Sequence, residues 1–312
     1  MGANSFVDLW DNHIRYTISG GSLIIESISY NLTDTSMGET ISSNTISGSV
    51  MDAYGRTISE TKANIANWYQ YHRKRSYVTK GAVASVINNS PSFKYALSVI
   101  NNKNQLFKEV PDSVLMPPYT AHNNDIVQDL LKFDWPASGT PLRQGLELAG
   151  RYFDHDLTIN PDTGSSMDDP IVDSCQQNFT VLFTDGYWNG NDPNNLIADA
   201  DGDSINLSIA DVAKYYYDQD LSSLDNDVPA NLFDSANHQH MVTFTVAFGL
   251  KGLLLDSNSN GWPNNADGTE KTGSDNWGDP FCSDCPEKID DLWHAAFNSK
   301  GTFVSASTPE DV

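Results

Sequence analysis

Oxygen-bearing side chains recur at alternate positions in Asp256-Ser257-Asn258-Ser259-Asn260-Gly261, followed by Trp262 and, at the twelfth position, Asp267. In a loop of this D-x-[DN]-x-[DN]-G pattern, alternate side chains converge on one calcium ion, the glycine permits the turn and the seventh residue offers its carbonyl. Asp256, Asn258, Asn260, the Trp262 carbonyl and Asp267 are therefore the expected Ca2+ ligands. Aspartate replaces the usual bidentate glutamate, and the flanks do not read as two helices, so a weak loop inside an insertion is expected; a plain Asn-rich turn is the competing reading. A second group, Asp199-Ala200-Asp201-Gly202-Asp203, sets three carboxylates at alternate positions. Uncompensated they repel, and a cation would relieve that. The glycine falls one place early, which leaves both a second calcium loop through Asp199, Asp201 and Asp203 and a solvated acidic turn open.

Other candidates are sparser. Asp185 follows the apolar run NFTVLFT and precedes Gly186, the place where open α/β sheets bind ligands, just past the carboxyl end of a strand. Thr140, in SGTPLRQGL, precedes a helix and is expected to cap it. Asp279, Asp290 and Asp291 have weaker claims, the last two as carboxylates flanking a helix N-terminus. Catalytic patterns are poor: H-E-x-x-H, G-x-S-x-G and the phosphate-binding glycine loops are absent. His238 and His240 flank a strand start, and His294, beside Trp293, reads as packed rather than as a base. Cys282-x-x-Cys285 lacks the second pair that a four-thiolate zinc site needs, so a local disulfide is expected, with a free buried pair as the alternative.

The elements that must position these residues follow from periodicity. HIRYTIS and SLIIESISYN alternate about Gly20-Gly21 and predict a β-hairpin. Apolar residues at three- and four-residue spacing predict one long helix over 59–88, capped by Ser59. FKYALSVI (93–100) reads as a strand with QLFKEV as its edge partner. NNDIVQDLLKFDW and PLRQGLELAGRYF (141–153) read as helices. NFTVLFT and MVTFTVAFGL (241–250) are buried strands, helices are expected at 208–220 and in PEKIDDLWHAAFN, and TFVSAS (302–307) is a last strand. The alternation predicts an α/β fold with a largely parallel central sheet, preceded by a β-rich region over 1–55, the main domain occupying 56–312.

The 312 residues carry 41 acidic against 18 basic side chains, a net charge of -23. That balance excludes a phosphate-backbone binder and argues against anionic membrane surfaces. No run approaches the ~18 apolar residues of a spanning helix, and MGANSFVDLWDNH does not read as a signal peptide.

Taken together, SGTPLRQGLELAGRYF, CQQNFTVLFTDGYWNG, HMVTFTVAFG and EKIDDLWHAAFNSKGTFVSAS resemble the von Willebrand factor A domain of the PilY1/PilC family of type IV pilus tip proteins, over about residues 54–308. NIANWYQYHRKR fits that family's first long helix. The resemblance implies a Rossmann-like sandwich with a metal-ion-dependent adhesion site, in which Thr140 and Asp185 match the second and third loops and would hold Mg2+ or Mn2+. It departs from the pattern in the first loop, for no D-x-S-x-S precedes the long helix. Asp34-Thr35-Ser36-Met37-Gly38 is the nearest candidate, but its last position lacks the hydroxyl, and the favoured expectation is that the first strand and its motif lie upstream of this chain, with residues 1–55 an insertion before the helix. The expected function is a non-enzymatic, cell-surface or pilus-associated adhesion domain that binds a protein or host-surface ligand or pilus subunits. A secreted calcium-dependent hydrolase working near His238 or His240, and a purely structural calcium-stabilised module, are the rivals.

Overall fold

The computed structural model describes residues 13–19, 22–31, 38–46, 55–67, 75–101, 103–135, 138–273 and 275–306. The chain divides into two compact units, Met1–Val78 and Thr79–Val312.

In the first unit, β1 (His13–Ser19), β2 (Ser22–Asn31) and β3 (Gly38–Ile46) form an antiparallel meander. Ser19 pairs with Ser22, the register of the hairpin that the alternating sequence predicts. Helix α1 (Ile58–Asn67) opens on a capping box at Thr57 rather than on Ser59: the Thr57 N–H donates to Glu60 Oε2 at 2.7 Å, and the Glu60 N–H donates to Thr57 Oγ1 at 3.3 Å. The apolar periodicity that reads as one helix over 59–88 is carried by α1 and by α2 (Arg75–Asn89); residues 68–74 lie outside the described residues.

In the second unit the expected strand at 93–100 contracts to β4 (Leu97–Ser98), antiparallel to β5 (Phe107–Lys108). The reason is competition for its side chains. Tyr95 and Leu97 pack against Ala84 and Ile87 of α2 and Ile126 and Val127 of α3 (Thr120–Lys132), so this run serves a helical cluster instead of a long ladder.

The central sheet is parallel, in the order β6 (Asn178–Thr184), β7 (Met241–Phe248), β8 (Phe303–Ala306). Helices α4 (Leu142–Phe153), α5 (Ile209–Asp218) and α6 (Glu287–Asn298) pack on it, α4 on β6, α5 on β7 and α6 on β7 and β8, while α5 touches both neighbouring helices. Each helix turns one stripe inward: Leu142 and Leu146 of α4, Ile209, Val212 and Ala213 of α5, and Ile289 and Leu292 of α6 meet Leu182 and Met241 in one core. Full burial of each large side chain contributes about 1.5–3 kcal/mol. The strands are therefore held so that their carboxyl ends, and the loops that follow them, face the helix N-termini. Among the described residues β6 pairs with β7 alone, and its Phe179 and Val181 remain half exposed.

Candidate functional site

At the carboxyl end of β6 the two loops named by the sequence meet. The N–H of Thr140 donates to Asn189 Oδ1 at 2.8 Å, and the N–H of Asn189 donates to the Thr140 carbonyl at 2.9 Å. A Cβ on Gly186 would come within 3.1 Å of Thr140 Oγ1, so the bare glycine is what lets the hydroxyl approach the chain just after Asp185. Thr140 is not the helix cap expected of it. The N-cap of α4 is Pro141, which has no side chain able to cap. The Thr140 hydroxyl instead lies against Gly186, next in the chain to the exposed Asp185.

Two buried cations hold the loop that follows Asp185. Arg143 of α4 donates to Asp192 Oδ1 at 2.8 Å and to the carbonyls of Leu207 and Gly190, and Lys288 of α6 donates to the Trp188 carbonyl at 2.8 Å. The Trp188 ring lies 4.3 Å from the Arg143 guanidinium and 4.6 Å from the Lys288 ammonium. Burial lowers the pKa of Lys288. Neither Asp290 nor Asp291 caps its own helix. Asp291 accepts from Ile209 and Ala210, the first N–H groups of α5, and Asp290 accepts from Leu253 and Leu254 in the loop after β7.

The acidic segment after that loop is folded against α5 and α6. Asp199 accepts from the N–H groups of Gly202 and Ser204, Asp201 from that of Asp203, and Asp203 from that of Ile205. Asp211 completes a capping box with Ser208 and also accepts from Ala200 and Asp201. The structure brings Asp199, Asp201 and Asp211 into one group, and Asp201, Asp203 and His294 into another, the ligand atoms of each lying within 4.8 Å of one another. Asn298 donates to Asp201 Oδ2 at 2.7 Å. Burial, then the charges of Asp211 and Asp203, push Asp201 up to about 7.

The 256–267 loop is built differently. Asp256 accepts from the N–H groups of Asn260 and Gly261, Asn260 Oδ1 accepts from the Trp262 N–H, and Gly261 has the left-handed φ of 91° that the sixth position of a calcium loop requires. Asp267 turns instead to Thr269, accepting from its N–H and hydroxyl, and it is Glu270 whose Oε1 meets the Asn260 amide. Ser257 is tied to Asn264, and Asn258 is exposed. The loop rests on α6, where Trp293 donates to the Gly261 carbonyl and Trp262 packs edge-on to Phe297.

His238 and His240 sit at the opposite end of β7. His238 Nε2 is 2.9 Å from the Tyr217 carbonyl, and His240 contacts the His238 carbonyl and Asp234, which also receives the Tyr217 hydroxyl. Cys282 and Cys285 are joined in the expected local disulfide, Asp279 accepts from the Phe281 N–H, and Asp34 lies outside the described residues.

With this geometry established, comparison with known proteins is decisive at one level. The chain is 30% identical over 305 residues to the type IV pilus biogenesis factor PilY1 of Pseudomonas aeruginosa strain UCBPP-PA14, covering 83% of the chain and 25% of that protein. The chain is homologous to PilY1. PilY1 of strain PAO1 of the same organism is 26% identical over 304 residues, with 81% and 25% coverage. The chain thus spans about a quarter of the length of the PilY1 proteins it matches. No family model matches it, and no solved structure matches it. Among the described residues no helix is long and apolar enough to cross a membrane.

Several residues at these sites escape a reading of local pattern. Asn189 follows Asp185 by four positions and has no signal of its own. Asp211 lies one place beyond the twelfth position counted from Asp199. His294 and Asn298 are about a hundred residues away, and only the steps of three from Asp291 to His294 and of four from His294 to Asn298 mark them as one face of α6.

Proposed function

We propose that the chain is the binding domain of a pilus-associated surface protein, built on a von Willebrand A-type frame, that supports type IV pilus biogenesis or attachment through a divalent ion at its apex. The observation that carries the reading is the interlock of the Thr140 and Asp185 loops at the carboxyl end of β6, in a chain homologous to PilY1 over four-fifths of its length. A hydroxyl and a carboxylate are suitable donors for Mg2+ or Mn2+, and the close approach of Thr140 to Gly186 fits such a centre. Thr140 and Asp185 would hold the ion, with a first-loop carboxylate and hydroxyls completing it from outside the described residues. When bound, the ion offers an open coordination position to a partner's carboxylate. The unpaired edge of β6 among the described residues is where a further parallel strand, bearing that first loop, would add.

Binding is favoured over catalysis because the histidines that a hydrolase would use are tied to backbone and to Asp234 at the far end of the sheet. Co-sedimentation with purified type IV pili, in Mg2+ and in EDTA, tests the proposal. The wild-type chain is expected to sediment in Mg2+ only, and Asp185→Ala and Thr140→Ala to remain in solution. Equal sedimentation in EDTA, or metal-dependent turnover of ester, glycoside or peptide substrates, would overturn it.

A further inference from the structure

His294 is the observation that neither the pilus homology nor the apex accounts for. It projects from the middle of α6, is 2% exposed and stacks on Trp277 at a ring distance of 4.3 Å and an interplanar angle of 3°. Its Nε2 is buried without a hydrogen-bond partner. That nitrogen is aimed at the acidic loop: it lies 3.3 Å from Asp201 Oδ2, in a geometry that makes no hydrogen bond, and the two side chains are 3% and 2% exposed. An unpartnered ring nitrogen and the side chains of Asp201 and Asp203 thus face one another. A buried polar atom without a partner is destabilising.

We propose that Asp201, Asp203 and His294 bind a first-row transition-metal dication of the zinc class, which ties the acidic loop to α6. The donor set favours that class over calcium: it mixes nitrogen with oxygen, whereas calcium takes oxygens and imidazole suits zinc, nickel or iron. The ligand atoms lie within 4.8 Å of one another, close enough for one ion to hold all three. Two carboxylates would neutralise the dication. In the all-carboxylate alternative Asp211 is already engaged by four donors, the N–H groups of Ser208, Ala200 and Asp201 and the Ser208 hydroxyl. A narrow cleft lined by Asp203, Ile205, Trp277 and His294 borders the group. The inference does not rest on the adhesion reading, and Thr140 and Asp185 play no part in it.

The experiment uses the full chain, stripped with chelator and titrated with Zn2+ and separately with Ca2+, read by calorimetry and by Trp277 fluorescence, since that ring stacks on the proposed ligand. One equivalent of Zn2+ is expected to bind the wild type and to change the fluorescence. Asp203→Asn, a half-exposed position whose oxygen can still accept from Ile205, should weaken Zn2+ binding more than about tenfold. His294→Gln should do the same, and calcium uptake at 256–267 should be unaltered in both. If His294→Gln fails to fold, as judged by circular dichroism, Asp203→Asn alone decides. No zinc uptake by the wild type would reduce the group to a carboxylic acid sharing a proton with His294. Wild-type affinity in Asp203→Asn, or displacement of Zn2+ by equimolar Ca2+, would equally overturn the proposal.

Discussion

The acidic loop at 199–211 and the loop at 256–270 begin from nearly the same recipe and end in different chemistry. Both alternate Asp or Asn with small residues, both turn at a left-handed glycine, Gly202 at 79° and Gly261 at 91°, and both fold by carboxylates accepting nearby backbone N–H groups. What separates them is burial. At 257–261 the chain is exposed, and against the desolvation penalty the N–H groups of Gly261 and Asn260, among others of the loop, together hold Asp256 below its ordinary carboxylate range. At 199–211 the carboxylates lean on α5 and α6, and burial raises Asp201, Asp203 and Asp211 together. Alternation thus encodes how such a loop folds, whereas the surface it packs against decides whether it is at ease without a cation.

The sharpest way to break this comparison is to remove one carboxylate from each loop. Asp211 is fully buried and satisfies the N–H groups of Ser208, Ala200 and Asp201 as well as the Ser208 hydroxyl. Asp211→Ala strands those donors and removes the capping box of α5, an expected loss of about 2–4 kcal/mol. Asp256→Ala, at the surface, should barely move the melt. Thermal denaturation of both variants in chelator measures the contrast, and equal shifts would erase it.

Acidity offers a second, smaller test. Asp291, 4% exposed, is pushed up to about 7 by burial, against the opposing pull of the Ala210 and Ile209 N–H groups. A carboxyl whose folded pKa is raised stabilises the fold fully below its unfolded value, here 3.8, and loses that contribution as pH rises through about 7. Asp201 shares the sign. His294, lowered to about 3, works the other way: its contribution is present above pH 6.5 and fades as pH falls. The window from about pH 6.5 to 8.5 therefore isolates the carboxyls. In chelator the wild-type chain should melt lower at pH 8.5 than at pH 6.5, and Asp291→Asn should show a shallower slope. A melting temperature that rises with pH across this window would contradict the assignment.

How far the sequence reaches follows from the range of the forces involved. The parallel strands NFTVLFT and MVTFTVAF, and the helices at 142–153, 209–218 and 287–298, are legible because each carries its own apolar period. The strand at 93–100 is not, since its apolar residues are taken by α2 and α3. The apex was half legible: Thr140 and Asp185 stand at readable positions, but the role of Thr140 turned on Pro141 occupying the N-cap. Asp290 and Asp291 read as helix-flanking acids, yet they serve neighbouring segments, a pairing that only tertiary contact creates. His294 lies furthest from local reading. Nothing near HAAFN indicates that its nitrogen will face Asp201, 93 positions earlier in the chain.

The smallest expected effect sharpens the comparison from the side of the exposed loop. Asp267 stands at the twelfth place of the calcium-loop pattern, but its carboxylate is engaged by Thr269, and the acid that reaches the head of the loop is Glu270, against the Asn260 amide. If calcium binds here with Asp256, Asn258, Asn260 and the Trp262 carbonyl, the charge that closes the shell comes from whichever of these two acids turns inward. The structure favours Glu270, because moving it needs only the exchange of one amide contact for the ion, while Asp267 must give up two donors from Thr269. Affinity should fall in the weak range, roughly 10^-5 to 10^-3 M. Asp256→Ala should abolish calcium uptake at the loop. Glu270→Gln should weaken it several-fold, and Asp267→Asn less, with all three variants as folded as the wild type, because the loop's weight on α6 is carried by Trp262 and the Gly261 carbonyl. Calorimetric calcium titration ranks them. The reverse order would return the twelfth place to Asp267, and unchanged uptake in Asp256→Ala would make the segment a plain turn.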